Sequence, residues 1–400
     1  MAICALFFTN GLLIGSLVLR FPEIKDVFGL SASVYGVTIA LSSLGGILAG
    51  PFAAKVVRRL TSRIAASLLT IGIGIAVLTI GLSATLRPSA SSGSLLSTAL
   101  YLLLAFGFFL NGCTDSLVDV AQNMQGLRLQ REYRRPIISS FHGMWSVGAA
   151  AGGGFGILTT AFHISLLEHT LIASLGCIAL GLLVLPFTLP GVDPDNSEEA
   201  DREDLSRVRT HPLAPAIVLG LLVVLCISGM LIEEIASSWA TLFMRDYANT
   251  GAALAGSGFV VLLSTHALGR FIADPLVGRF GPRAVVAGGG ALILAGMGGG
   301  LLIGTTPALL FGFATAGIGA SASVPLAYNA AHDIRGMDPA LGLTIVSWLG
   351  RLAFLVAPPL VGVLVQQTSL LAAMLVIPAA GLALMASSLV LAPRQLRVQK

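Results

Sequence analysis

The sequence predicts an all-α membrane protein of twelve transmembrane helices in two six-helix, pseudo-symmetric halves. Three observations predict it. Only 10% of the 400 residues are charged and 55% are hydrophobic, with a mean hydropathy of +0.90, whereas soluble domains carry about 25% charged residues. Twelve apolar stretches reach the roughly 20 residues that a helix needs to cross a bilayer. One long polar interruption, "PGVDPDNSEEADREDLSRVRTHP" (190–212), divides them six and six.

Each stretch has its own signal. The first, 2–20, is apolar almost from Met1 and lacks the basic leader and small-residue cleavage site of a signal peptide. It is expected to span, and its missing polar lead points to a start upstream of Met1. Stretches 32–54 and 62–84 follow, joined through Lys55, Arg58, Arg59 and Arg63. The fourth, 95–124, contains "FLNGCTDSLVDVAQNM", which places Asn111, Asp115, Asp119 and Asn123 four residues apart. Residues four apart share one helix side, drifting about 40° per step, so these four form a slanted polar stripe. The fifth, 137–162, opens with His142 beside the basic "RLQREYRR" and repeats Gly148, Gly152 and Gly156, a spacing that lets helices approach closely. The sixth is 166–188.

After the solvated linker, the seventh stretch, 213–235, carries adjacent Glu233 and Glu234. Neighbours on a helix diverge by about 100°, so at most one of the two is expected to face a central space squarely. The eighth, 252–274, contains His266; the ninth is 284–304; the tenth, 306–329, runs into "AYNAAHD" with Tyr328 and Asn329. The eleventh, 341–366, holds Arg351, and 369–391 is the twelfth. The expected division is therefore an N-terminal half at 1–189, a linker at 190–212 and a C-terminal half at 213–400.

With both termini on one side of the membrane, 17 of the 23 Lys and Arg fall in loops on that side. Arg20, Lys25, Arg87 and Arg245 fall on the other, and Arg270 and Arg351 lie within spans. Basic residues concentrate on the cytoplasmic side, so both termini are expected in the cytoplasm, in the plasma (inner) membrane of a bacterium. The net charge of +4 is spread over short loops rather than one basic face, which argues against a nucleic-acid partner. Cys4, Cys113, Cys177 and Cys226 sit in apolar segments without CxxC spacing, so neither a disulfide framework nor a metal site is expected. No Gly-Lys pair offers a phosphate loop, and no HExxH or GxSxG occurs. An ATP-driven pump and an intramembrane hydrolase are disfavoured, and no cofactor is expected.

The halves repeat. A shift of 220 residues lays "LAGPFAAKVVRRLTSR" (48–63) on "LGRFIADPLVGRFGPR" (268–283), aligning Leu48 with Leu268, Ala53 with Ala273, Val57 with Val277, Arg59 with Arg279 and Arg63 with Arg283. Parallel six-helix repeats around a midplane site are one organisation of secondary transporters. The second copy, a Gly, then Asp274, then basic residues around a Gly, resembles the loop signature of the major facilitator superfamily; the first copy has Ala54 in place of the acid. "RFPEIK", "DVAQN", "FHGMWSVG", "IEEIASSW", "GASASVPL" and "LAFLVAPPLVG" extend the resemblance nearly end to end. They resemble a bacterial branch of largely uncharacterised inner-membrane permeases, distantly similar to fucose permeases.

The resemblance implies a rocker-switch carrier with a central cavity. Asp119 with Asn123, and Glu233 six residues before Trp239, match acids of the fourth and seventh helices in that branch. Two positions depart from it: no acid lies between Met1 and Leu19, and Arg351 stands where an aromatic is expected. Drug/proton antiporters of the superfamily often carry a Gly-Pro signature in the fifth helix, and "GAAAGGGFG" has no proline.

A carboxylate in hydrocarbon costs roughly 2.5–3.5 kcal/mol even on the lenient insertion scale, so these acids are expected to face a wet interior. Asp115, Asp119, Asn123 and Glu233 are the candidates for the cavity and for proton coupling. Asp119 has a second reading: some 24 residues into its stretch, it would latch to Arg58, Arg59 or Arg63 near the cytoplasmic end. Asn111, His266, Tyr328, Asn329 and Arg351 are candidate substrate contacts, Arg351 requiring an acid partner or an anionic solute. His142, Asp274, Arg279 and Arg283 join the three arginines as a candidate cytoplasmic gate. The expected function is secondary active transport of a small organic solute, sugar-like or an organic acid, coupled to protons, by a monomer embedded in lipid. Drug/proton antiport is the alternative, and a non-transporting sensor on a carrier fold is a third reading.

Overall fold

Backbone polar groups cannot be left bare in hydrocarbon, which restricts spanning segments to helices and closed barrels. Here the described residues form helices throughout. The computed structural model describes the chain except residues 88–90, 92, 134–136, 192–213, 333, 335, 336, 338 and 392–400. The expected linker therefore lies almost wholly outside the described residues.

The first half contains α1 (Ala2–Val18), a short α2 (Phe21–Phe28), α3 (Ala32–Leu86), α4 (Leu95–Tyr133), α5 (Ile138–Ala161) and α6 (Leu166–Val184). The second contains α7 (Pro215–Ile235), continued by a π-turn at Ala236–Ala240 and by α8 (Thr241–Asp246), then α9 (Gly251–Ala255), α10 (Ser257–Phe280) and α11 (Pro282–Ile303). It closes with α12 (Thr306–Ala320), α13 (Ser323–His332), α14 (Pro339–Gln367), α15 (Leu370–Met374) and α16 (Val376–Ser387). Among the described residues ten helical segments are long and apolar enough to cross a membrane, and α1 with α2 makes an eleventh that bends by 44°. The 24-residue α5 packs along α1 and completes the twelve.

Two boundaries differ most from the sequence reading. α4 runs on to Tyr133, so its polar stripe lies inside one continuous 39-residue helix. The seventh span does not stop at Ile235 but passes through the π-turn to Asp246. An extra residue in such a turn changes the angle at which following side chains emerge, and π-turns concentrate at functional sites.

The 220-residue repeat is visible in the backbone. α3 crosses twice, reversing at Thr61 with φ 67° and ψ 149°. Its counterpart Gly281 joins α10 to α11 with φ 84° and ψ 156°. Glycine accepts that conformation freely, whereas a threonine there is strained. One turn geometry is thus built twice, easily in one half and at a cost in the other.

Helices in lipid gain nothing from hiding oily surface from one another, so close packing through small residues must hold them. The α1–α5 seam shows this. A Cβ on Gly148 would come within 2.1 Å of the Phe8 carbonyl oxygen, and one on Gly152 within 2.2 Å of that of Leu12. From the other side, Gly11 and Gly15 meet the Trp145 and Ala149 carbonyls as tightly. Between the halves, α3 packs on α14 and α5 on α10.

Thr61→Gly should relieve the strained turn and raise stability by about 1 kcal/mol, net of the freedom glycine adds to the unfolded chain. Thermal unfolding in detergent checks this. Gly148→Val should instead open the α1–α5 seam and lower the unfolding temperature.

Candidate functional site

Where the halves meet, they enclose a cavity of about 280 Å³, at the small end of the roughly 300–1,000 Å³ range of ligand pockets. α1, α3, α4 and α5 wall it on one side, and α7, α10 and α14 on the other. Most of the wall is apolar, with Phe21, Phe108 and Trp145 from the first half and Phe259 and Phe354 from the second. Into this surface project Ser42, Ser43, Asn111 and Asp115 from one half, and Glu233, Glu234, Ser237 and Ser238 from the other.

The polar groups are individually placed. Asn111 Nδ2 donates to Ser42 Oγ at 3.3 Å, while its Oδ1, on a residue only 8% exposed, has no partner. Asn10 on α1 hydrogen-bonds Asp115 and leaves its own buried Oδ1 unpaired. Ser43 donates to the Phe354 carbonyl at 2.9 Å, across the halves. Glu234, 6% exposed, accepts a short hydrogen bond from the Ser238 hydroxyl one helical turn along. Glu233 is more accessible, and near it lies the buried His266, whose Nδ1 is unpaired. Both glutamates thus line the cavity. Glu234 turns to Ser238 on its own helix, and Glu233 is the more accessible of the two.

The stripe on α4 divides. Asn111 and Asp115 line the cavity, and Asp119 and Asn123 lie beyond it toward the arginine-rich end. Asn123 Nδ2 donates to Asp119 Oδ1 at 2.9 Å, and Asn123 Oδ1 lies 3.1 Å from His142 Nε2. His142 rests edge-on against Phe7. Arg351 does not line the cavity; it is exposed, yet acts electrostatically on Asp115, Asp119 and Tyr328. Arg351 is thus an exposed cation of one half in electrostatic reach of two acids of the other.

The arginine-poor end is closed. Tyr35 Oη donates to the Ser238 carbonyl in the π-turn at 2.7 Å, and its ring meets Trp239 edge-on at 5.0 Å. Arg245 Nη1 pairs with Asp26 Oδ2 at 2.6 Å, and Ser33 donates to Gln366 Oε1 at 2.5 Å. Each of these ties joins one half to the other.

Against this geometry, known proteins can be compared. The Major Facilitator Superfamily model matches residues 3–265. The chain belongs to the Major Facilitator Superfamily. It is a multi-pass membrane transporter, not an enzyme. It is 27% identical over 339 residues to an uncharacterised transporter of Sinorhizobium fredii, covering 83% of this chain and 82% of that one. It is 24% identical over 389 residues to the membrane protein MosC of Rhizobium meliloti, covering 95% and 87%. Among solved structures, a D-xylose-proton symporter has a TM-score of 0.69 at 14% identity, covering 97% of this chain and 96% of that one. The nucleoside transporter NupG has a TM-score of 0.66 at 11% identity, covering 97% of each chain.

Within this superfamily fold, the remaining predicted residues lie away from the cavity. Tyr328 is partly buried and hydrogen-bonds Cys226, while Asn329 is exposed. Arg59 is exposed, and Arg63 Nε donates to the Leu185 carbonyl at 3.3 Å rather than to Asp119. The side chain of Arg58 lies outside the described residues. Asp274 is exposed and makes no ion pair with Arg279 or Arg283 among the described residues; Arg279 instead lies over the Phe280 ring. That gate is not assembled among the described residues.

Sequence reasoning missed Ser42, Ser43, Ser237, Ser238 and the aromatic wall as cavity groups, and Asn10 as the buried neighbour of Asp115. Single hydroxyls in apolar helices carry little signal, because a serine also satisfies itself on its own helix. Asn10 was the one detectable case, a lone amide in "FFTNGLLIG".

Tyr35→Phe removes one hydrogen bond worth about 1 kcal/mol, so the closed arginine-poor end should open roughly five-fold more often. In a variant lacking the native cysteines, Ile39→Cys should react about five-fold faster with an impermeant maleimide added on that side.

Proposed function

We propose that the protein is a proton-coupled secondary transporter that carries a small organic solute through this cavity by alternating access. The observation that carries the reading is the meeting of carboxylates from both halves, Asp115 with Glu233 and Glu234, in one cavity between them. Held away from water, an ionised carboxylate costs several kcal/mol, and a proton removes that cost. Protonation therefore changes the balance between a state in which these acids are enclosed and one in which they are hydrated. Glu234 is buried and holds Ser238, whose carbonyl receives Tyr35. A proton on Glu234 thus acts two bonds away from the closure of the arginine-poor end.

In this reading the arginine-rich end faces the cytoplasm of a bacterium and the protein sits in its inner membrane as a monomer. The halves 1–189 and 213–400 rock about the cavity while 190–212 tethers them. The likeness in fold to a D-xylose-proton symporter supports solute–proton coupling. Exchange of an outgoing solute for incoming protons uses the same cavity and the same acids, and the direction of flux separates it from symport.

In proteoliposomes with an imposed pH gradient, Asp115→Asn and Glu234→Gln should each abolish proton-driven accumulation while solute counterflow persists. Full gradient-driven accumulation in both variants contradicts the reading.

A further inference from the structure

The hydrogen-bonding capacity of the cavity is one-sided. Ser43 gives its hydroxyl hydrogen to the Phe354 carbonyl, Ser237 to the Glu234 carbonyl, and Ser238 to the Glu234 carboxylate. The Asn111 amide donates to Ser42. The donors on the wall are therefore largely used, leaving the second Nδ2–H of Asn111, the Ser42 hydroxyl and the Trp145 indole. The acceptors are not. Asn111 Oδ1 is unpaired on a side chain more than nine-tenths buried, and no described residue donates a hydrogen bond to Glu233. Asp115 keeps acceptor capacity beyond its single bond from Asn10.

Charge points the same way. Three carboxylates line the cavity, and no Lys, Arg or His does. The nearest cations stand outside it. Exposed Arg351 is in electrostatic reach of Asp115 and Asp119, and Arg270 of His142 and His266. The cavity wall itself therefore presents acids and no cation. A carboxylate or phosphate solute would meet like charge and spent donors.

A protonated amine supplies what is missing: three donors, no acceptor and a positive charge. The remaining wall suits such a solute, because aromatic faces attract a cation and bury its carbon skeleton.

Resting on the transport reading above, we propose that the solute is a small organic cation bearing a protonated amine. Its ammonium sits among Asp115, Glu233 and Asn111 Oδ1, and its carbon frame lies against Phe108, Trp145, Phe259 and Phe354. The expectation of an organic acid held by Arg351 is thereby replaced. Arg351 serves as counter-charge to the acids of α4.

Two matched series test this on purified full-length protein: benzylamine, benzyl alcohol and benzoate, then glucosamine, glucose and gluconate. Dissociation constants come from ligand-induced thermal stabilisation. In at least one series the amine should bind at least ten-fold tighter than its neutral and acidic counterparts. Glu233→Gln and Asp115→Asn should each weaken it at least ten-fold, and Glu233→Asp should retain most of the affinity. Equal or tighter binding of the neutral or acidic member, or amine binding indifferent to all three substitutions, overturns the proposal, as does failure of both amines to bind. Counterflow in proteoliposomes with the tightest-binding member keeps the two readings apart. Flux of a neutral or acidic binder sinks the cation assignment and leaves transport standing. An amine that binds without flux sinks transport and leaves the cation site standing.

Discussion

An ionised carboxylate cannot be left in hydrocarbon, and the arrangement of this molecule follows from that constraint. Translocon scales put the cost at roughly 2.5–3.5 kcal/mol for one such group at a helix centre. Asp115, Glu233 and Glu234 avoid it by lying where two helical bundles face each other rather than where either faces lipid. The close-packed α1–α5 seam keeps the first bundle rigid enough to present Asp115 at a fixed place, and glycine makes that seam possible. The cavity is a consequence of how the acids must be housed as much as of how the helices pack.

The two ends of the cavity are built differently. At the arginine-poor end, an ion pair, a tyrosine and a serine bridge the halves. The π-turn at Ala236–Ala240 is central to that closure, because it offers the Ser238 carbonyl to Tyr35 and the Ser238 hydroxyl to Glu234. One residue thereby connects a cavity acid to the closed end. At the arginine-rich end Arg351 is exposed while still sensing the acids of α4. The ties between the halves recorded here thus gather at the arginine-poor end.

Much of this was legible in the sequence. Apolar length, the polar interruption and the 220-residue repeat led to twelve helices in two halves, and the repeat recurs in the backbone at Thr61 and Gly281. The α4 stripe set Asn111 and Asp115 on one helix side, and both line the cavity, because four-residue spacing is a property of the helix itself. It could not say where along the helix the cavity ends. Asp119 and Asn123 continue the same stripe but lie past the cavity, with His142 as neighbour. Depth is set by the partner half, and no local pattern encodes it. The π-turn was equally hidden, since "ASSWA" reads as ordinary helix. Arg351 was recognised as costly and in need of an acid, and it has Asp115 and Asp119 in range.

The central claim is that the halves move as two bodies about the cavity. Spin-label distances in nanodiscs test it most directly, with one pair at Leu30 and Gln367 on the arginine-poor end and another at Leu127 and Phe280 on the arginine-rich end. With Arg245→Ala and Tyr35→Phe combined to loosen the closed end, the first distance should lengthen and the second shorten together. Two distributions that stay fixed, or that lengthen together, would contradict the account.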